Sequence, residues 1–150
     1  MTKRVVATFT TTIDRTPEVV FDYLADISKH AEWSPKPFRV EGGAGGPVKT
    51  GDTLKTVGTI PGDKNHHNDV TVTECTSPSR LVLDALEKDE HFIVTFDLQP
   101  HGSGTQLTRT VDAPRPSFPL SIVFPLIKSA FIKPDVEKGL RNLKAHLESN

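Results

Sequence analysis

Cysteine is nearly missing from this chain: Cys75 is the single one among 150 residues. No internal disulfide can form, and a reducing compartment is the expected setting. Charge of one sign is also missing, since 18 basic residues face 19 acidic ones. That balance removes the basic footprint of a nucleic-acid binder. Long hydrophobic runs are absent too. The opening MTKRVVATFTTT has two basic residues but no apolar stretch fit for a signal peptide. The apolar part of the last third is interrupted by Pro119, Pro125 and Lys128 and falls short of the roughly 20 residues a membrane span needs. The expectation is a soluble cytoplasmic protein with no nucleic-acid partner and no stable membrane insertion. No internal repeat appears, and the length suits one domain, 1–150, burying about two thirds of its unfolded surface.

What is present is organised around the last third. Leu120, Phe124, Ile127, Phe131, Val136, Leu140, Leu143 and Leu147 recur at steps near three and four, the stripe of a long amphipathic helix. Ser117 is placed to cap it, with Pro119 in the first turn. Pro125 and Pro134 fall inside the pattern and predict a kink or break, centred just before Pro134. Behind Pro134 there is one apolar face, with Glu137 and Arg141 spaced as an i,i+4 pair. Ahead of it, Ile122, Val123, Leu126, Ala130 and Ile132 make the segment apolar nearly all round. Such a segment must be covered, or must itself cover something apolar. The outward Ile122, Leu126 and Ile132 leave room for a dimer or a transient membrane contact, and either monomer or homodimer fits.

The chain opens with strict alternation over 3–13, where Val5, Ala7, Phe9, Thr11 and Ile13 share one face of a strand. Thr16-Pro17-Glu18 starts a short helix with apolar Val20, Phe21 and Leu24. Ser28 is placed to cap a second short helix ending near Trp33, before Pro35 and Pro37. Antiparallel strands are then expected at 38–41, 53–60, 68–76, 80–86, 91–99 and 105–111. The turn signals GGAGGP, KTGD, IPGDKN, TSPS, EKDE and PHGSG separate them. The sum is an α+β fold: seven antiparallel strands, two short helices after the first strand, and one long terminal helix to cover the sheet's buried face. A twisted sheet curled round one helix can leave space between them, and a ligand would go there.

Candidate chemistry is sparse. Arg109 shares strand parity with Leu107 and Val111. If that face is inward, its guanidinium can hold a carboxylate, enolate or phenolate oxygen. Otherwise Thr108 and Thr110 face in, or Arg109 pairs with a structural acid or snorkels to solvent. Trp33 either lines a cavity mouth or pins the short helices to the sheet. Tyr23, Asp26 and His30 could move a proton near that mouth, but spacing puts Tyr23 among apolar helix positions and makes Asp26 a cap. His66 and His67 are adjacent, so on a strand they point to opposite faces and cannot chelate together. With one cysteine and no other histidine spacing, neither a metal nor any cofactor is expected. GGAGG at 42–46 leads into Pro47 and a strand rather than a helix, so it reads as a loop that could gate the cavity, not a phosphate cradle. No nucleophile elbow, carboxylate pair or other catalytic constellation is legible.

The segments TPEVVFDYLADISKHAEWSP, VKTGD, VTECTSPSRLVL, LQPHGSGTQLT and GLRNLKAHLES run in the order of a known family. They resemble the START-related helix-grip (SRPBCC) superfamily, in particular its bacterial polyketide cyclase/dehydrase-like branch, over nearly the whole chain. The marks are the Pro17-Glu18 helix start, Asp26, Trp33 and the Gly104-Thr105 hairpin. The resemblance implies a deep apolar cavity between sheet and long helix, used for lipids, polyketides or other hydrophobic small molecules. Leu24, Trp33, Val70, Val72, Phe92, Val94, Phe96 and Arg109 are expected to line it from the first short helix, the bend and the sheet. Leu120, Phe124, Ile127 and Phe131 would line it from the last helix. Some members of the branch are cyclases or dehydratases, many are binders or carriers, and some relatives belong to toxin–antitoxin pairs. Binding of a hydrophobic ligand is the first expectation, and enzyme and regulator are the alternatives.

Overall fold

The computed structural model describes residues 4–42, 45–60 and 62–149, apart from the side chains of Ile127 and Phe131. Strand β1 (Arg4–Ile13) leads into helix α1 (Pro17–Ala25), and a 3₁₀ turn (Ile27–Glu32) follows. Six strands come next: β2 (Arg39–Glu41), β3 (Thr53–Ile60), β4 (Asp63–Thr76), β5 (Arg80–Glu87), β6 (Glu90–His101) and β7 (Gly104–Pro114). The chain ends in helix α2 (Leu120–Ile127), a π-helical stretch (Lys128–Ile132) and helix α3 (Lys133–Glu148).

The seven strands form one antiparallel sheet in the order β1-β7-β6-β5-β4-β3-β2. Strands β2 to β7 are thus a simple meander, while β1 pairs with β7 from the far end of the chain. The alternation of β1 is realised, with Ile13 buried and Val5, Ala7, Phe9 and Thr11 half-buried on the inner face. Strand β4 begins five residues earlier than its apolar pattern suggests, at Asp63. Its polar start pairs through the backbone with β3 from Ile60 inward, and backbone pairing needs no apolar side chain.

Local signals explain the helix starts. The Thr16 side chain accepts from the Val19 N–H, and Pro17 occupies the first turn of α1. The 3₁₀ turn is capped by Asp26, not by Ser28, because α1 ends one residue short of Asp26 and leaves its carboxylate beside the Ser28 N–H. Backbone and hydroxyl bonds from Ser28 hold that carboxylate below the usual range, although burial opposes them.

At the C-terminal end, Ser117 does not cap α2 with its side chain. Its carbonyl accepts from the Ser121 N–H, and the helix opens after Pro119. The expected break before Pro134 is present as the π-helical stretch. Pro134 has no N–H to donate to the preceding turn, and its ring crowds that turn's carbonyl. Behind it, Leu140, Leu143 and Leu147 of α3 are buried against the sheet. Glu137 lies 4.0 Å from Lys133 rather than finding the spaced Arg141. The core joins this face of α3 to Ile13, Val20, Phe21 and Leu24 at one end and to Val72, Leu81, Phe96, Leu98 and Leu107 of the sheet. At the start of β7, a Cβ on Gly104 would run into the Ile13 carbonyl oxygen, and the Thr105 hydroxyl donates to the Arg15 carbonyl at 2.7 Å. No helix among the described residues is long and apolar enough to cross a membrane.

Candidate ligand-binding site

Helix α2 is where sequence and burial part company. Its residues are almost all apolar, yet no described side chain in it is buried, and Ile122 and Leu126 are 67% and 73% exposed. Proline limits its backbone bonding at Pro125, and the π-helical stretch separates it from α3. It therefore stands off the sheet.

Beneath it lies a chamber of about 670 Å³. Its floor is the inner face of the sheet: Val5, Ala7 and Phe9 of β1, Val111 and Ala113 of β7, and Phe92 of β6. The linker from Pro114 to Ser117 closes one end, and Leu120, Phe124, Ile132 and Val136 form the roof. Charged groups, Glu90, Arg115 and Lys128, also border it. Apolar walls with a few charged borders suit a ligand that is mostly hydrocarbon.

Next along the same face of the sheet is a smaller space of about 250 Å³. Strand β7 turns Arg109 inward, opposite Phe9 on β1 and Phe96 on β6. The Arg109 guanidinium carbon sits 5.8 Å from the Trp33 ring centre and 5.7 Å from that of Phe96. His30 closes this group, with ring centres 4.9 Å from Trp33 and 6.1 Å from Phe96. Among the described residues, no acid pairs with Arg109, and its Nε is sealed from solvent without a hydrogen-bond partner. The indole Nε1 of Trp33 is orphaned in the same way. Burial lowers the guanidinium to about 10, so it still carries its charge at neutral pH.

His30 is a different matter. Its Nε2 lies 2.8 Å from the Leu24 carbonyl oxygen, which can only accept, so Nε2 carries the proton. Burial pushes the imidazole down to about 4, the Arg109 charge adds to this, and the Leu24 bond opposes it. His30 is neutral at pH 7 and structural in its contacts. Tyr23 donates to Glu32 at 2.6 Å and stacks on His146 of α3, with its hydroxyl raised by burial and then by Glu32. Tyr23, Asp26 and His30 therefore serve three separate local bonds rather than one proton-transfer group.

The expected cavity residues divide into three groups. Phe92, Leu120 and Phe124 border the large chamber, whereas Trp33 and Arg109 border the small space. Leu24, Val70, Val72 and Phe96 are packed in the core, and Val94 is packed against it. Ile127 and Phe131 have side chains outside the described set. Val5, Ala7, Phe9, Val111, Ala113 and Val136 were not anticipated. The alternation of β1 signalled its inner face, but not that β1 lies under α2. Of the glycine loop, Gly43 and Ala44 lie outside the described residues, while Gly42, Gly45 and Gly46 border a separate cleft with Asp26 and Ser28. His66 sits between Asp63 at 3.3 Å and Glu87 at 2.9 Å, whereas His67 is mostly exposed.

A seven-stranded antiparallel sheet closed by a C-terminal helix, with space between the two, is the helix-grip architecture. The chain belongs to the polyketide cyclase / dehydrase and lipid transport family, whose model matches residues 4–148. Solved structures agree on the fold. A crystal structure from Chromobacterium violaceum is 18% identical with a TM-score of 0.74, covering 96% of this chain and 98% of that one. One from Rhodobacter sphaeroides is 20% identical with a TM-score of 0.71, over 96% and 93%. The Aha1 dimer from Colwellia psychrerythraea is 16% identical with a TM-score of 0.69, over 96% of each chain. At such identities the likeness shows the fold alone. No curated protein matches the chain.

Proposed function

We propose that this protein binds a hydrophobic small molecule, such as a lipid or a polyketide, in the chamber beneath α2, to carry or sequester it. The observation that carries the reading is that chamber of about 670 Å³, floored by β1, β6 and β7 and roofed by an apolar helix that leaves the core. Burial of ligand hydrocarbon there would supply affinity at about 25 cal/mol per Å². Arg109 and Trp33 would orient one end of the ligand, with Phe92, Leu120 and Phe124 against its body. A cyclase or dehydratase would need an acid–base pair facing the substrate. Glu90, Arg115 and Lys128 border the chamber singly, and His30 is bonded to backbone, so binding ranks ahead of catalysis. The exposed Ile122 and Leu126 support self-association as a further part of the reading.

Native mass spectrometry of the purified chain, followed by organic extraction, tests the proposal. A discrete adduct that extracts as a lipid or polyketide supports it. A protein that is empty, and that also ignores fatty acids, sterols and aromatic polyketides, sinks it.

A further inference from the structure

Two donors in the small space have no partner in the protein. The Arg109 Nε and the Trp33 Nε1 are both sealed from solvent, and Trp33 as a residue is 4% exposed. Native proteins leave few buried donors unbonded, and each one calls for an explanation. A charged donor left so is the costlier case, because desolvation is not offset by an acceptor. Stacking on Trp33 and Phe96 attracts the guanidinium to the ring faces but accepts no N–H in the ring plane. Asp135 borders the same space, but its carboxylate is held by Lys36 Nζ at 2.7 Å. The positive charge of Arg109 is therefore uncompensated among the described residues. Burial leaves it charged at neutral pH.

The position of this charge relative to the apolar chamber is the second observation. Arg109 stands opposite Phe9 in the β1–β7 register and two residues before Val111 on the same strand face. Phe9 and Val111 are both in the chamber floor. Alternate residues on a strand are about 6.6 Å apart, so the cation lies one side-chain step beyond the apolar floor. Val136 of α3 borders both spaces. Hydrocarbon walls lead along one face of the sheet to the Arg109 guanidinium, whose Nε has no acceptor among the described residues, while the other cations at the chamber, Arg115 and Lys128, stand at its border.

We infer that the ligand is an amphiphile with one compact anionic oxygen group, a carboxylate or an enolate, which accepts from Arg109 and from the Trp33 indole N–H while its apolar body fills the chamber. This rests on the proposed hydrophobic-ligand function and adds the chemical class of the head. A planar guanidinium suits two-oxygen acceptors. A cationic or neutral head would leave the Arg109 charge unanswered.

The test is calorimetric titration of the full chain with two matched sets of probes below their micellar concentrations. One set is decanoate, decanol and decylamine, and the other is naphthoate, naphthalenemethanol and naphthalenemethylamine. In at least one set the carboxylate should bind roughly ten- to hundredfold more tightly than the alcohol, with the amine weakest. Arg109→Gln should bring the carboxylate down to the affinity of the alcohol. Trp33→Phe, which keeps a ring and removes the N–H, should lower the carboxylate preference severalfold. If Arg109→Gln does not fold, the wild-type ratios and Trp33→Phe still decide the matter. Equal affinity for carboxylate and alcohol overturns the anionic head and leaves the hydrophobic-ligand function standing. Binding of none of the probes overturns the amphiphile assignment, and the hydrophobic-ligand function then stands or falls on the extraction and the wider ligand panel. A carboxylate preference that survives in folded Arg109→Gln overturns the assignment to Arg109.

Discussion

The two helices that end the chain are joined by five π-helical residues and behave in opposite ways. Helix α3 is rich in charge, yet it buries Gly139, Leu140, Leu143 and Leu147. Helix α2 is almost wholly apolar and buries none of its described side chains. Composition alone would rank them the other way. What separates them is geometry: α3 has one apolar stripe that lies flat on the sheet, with Lys144 bonded to the Thr12 carbonyl and Glu148 accepting from the Asp14 N–H. Prolines at 119, 125 and 134 leave α2 no such line of approach. A roof over space and a lid over a core need different backbones more than different residues.

Four measurements would break or sharpen this contrast. The largest effect belongs to α3. Leu143 is fully buried, so Leu143→Ala should cost about 3 kcal/mol in urea unfolding. A loss below about 1 kcal/mol would mean that α3 is as loosely seated as α2. Next comes acid sensitivity on the packed side. The folded His30 titrates at about 4 and the unfolded one at its ordinary 6.5, so the unfolded chain takes up the proton first as pH falls. The His30 contribution is complete above 6.5 and drains away down to about 4, amounting to about 2 kcal/mol between pH 7 and pH 5. Unfolding midpoints at the two pH values, with His30→Asn as control, would show it, and an unchanged pH slope in the variant would exclude it.

A smaller gain is expected from Gly139→Ala. The new Cβ would meet Pro35 at 3.4 Å and the Trp33 ring at 3.5 Å, which is ordinary contact, and glycine inside a helix gives up about 1 kcal/mol. The variant should melt a few degrees higher, whereas a lower melting point would show that Trp33 needs all of that room. Least of all should happen at Leu126→Ala. At 73% exposure it should shift stability by no more than about 0.5 kcal/mol, and a core-sized loss would place α2 against something in solution.

Much of the fold was legible because local chemistry and burial agree. Period two in β1, the Thr16-Pro17 helix start and the Phe92 to Leu98 alternation in β6 each had one physical reading, and each is found. Short-range competition misled where two groups could do one job, as with Asp26 and Ser28 at the cap. The site was less legible because it depends on which strands lie side by side. Nothing near Val5 or Phe9 announces that Val111 and Phe124 will face them. Arg109 could be assigned a strand parity, but an absent partner cannot be seen in a linear pattern.

The pairing of β1 with β7 also has a bearing on how the protein assembles. Every other strand pair joins neighbours in the chain, whereas Arg4 meets Asp112 across 108 positions. Closing a loop of that length costs about 4 kcal/mol of chain entropy before any contact forms. The meander from β2 to β7 can zip through short turns, whereas β1 can pair only across that long closure. Since Val5, Ala7 and Phe9 of β1 are part of the chamber floor, the chamber is complete only when the two ends of the chain have met.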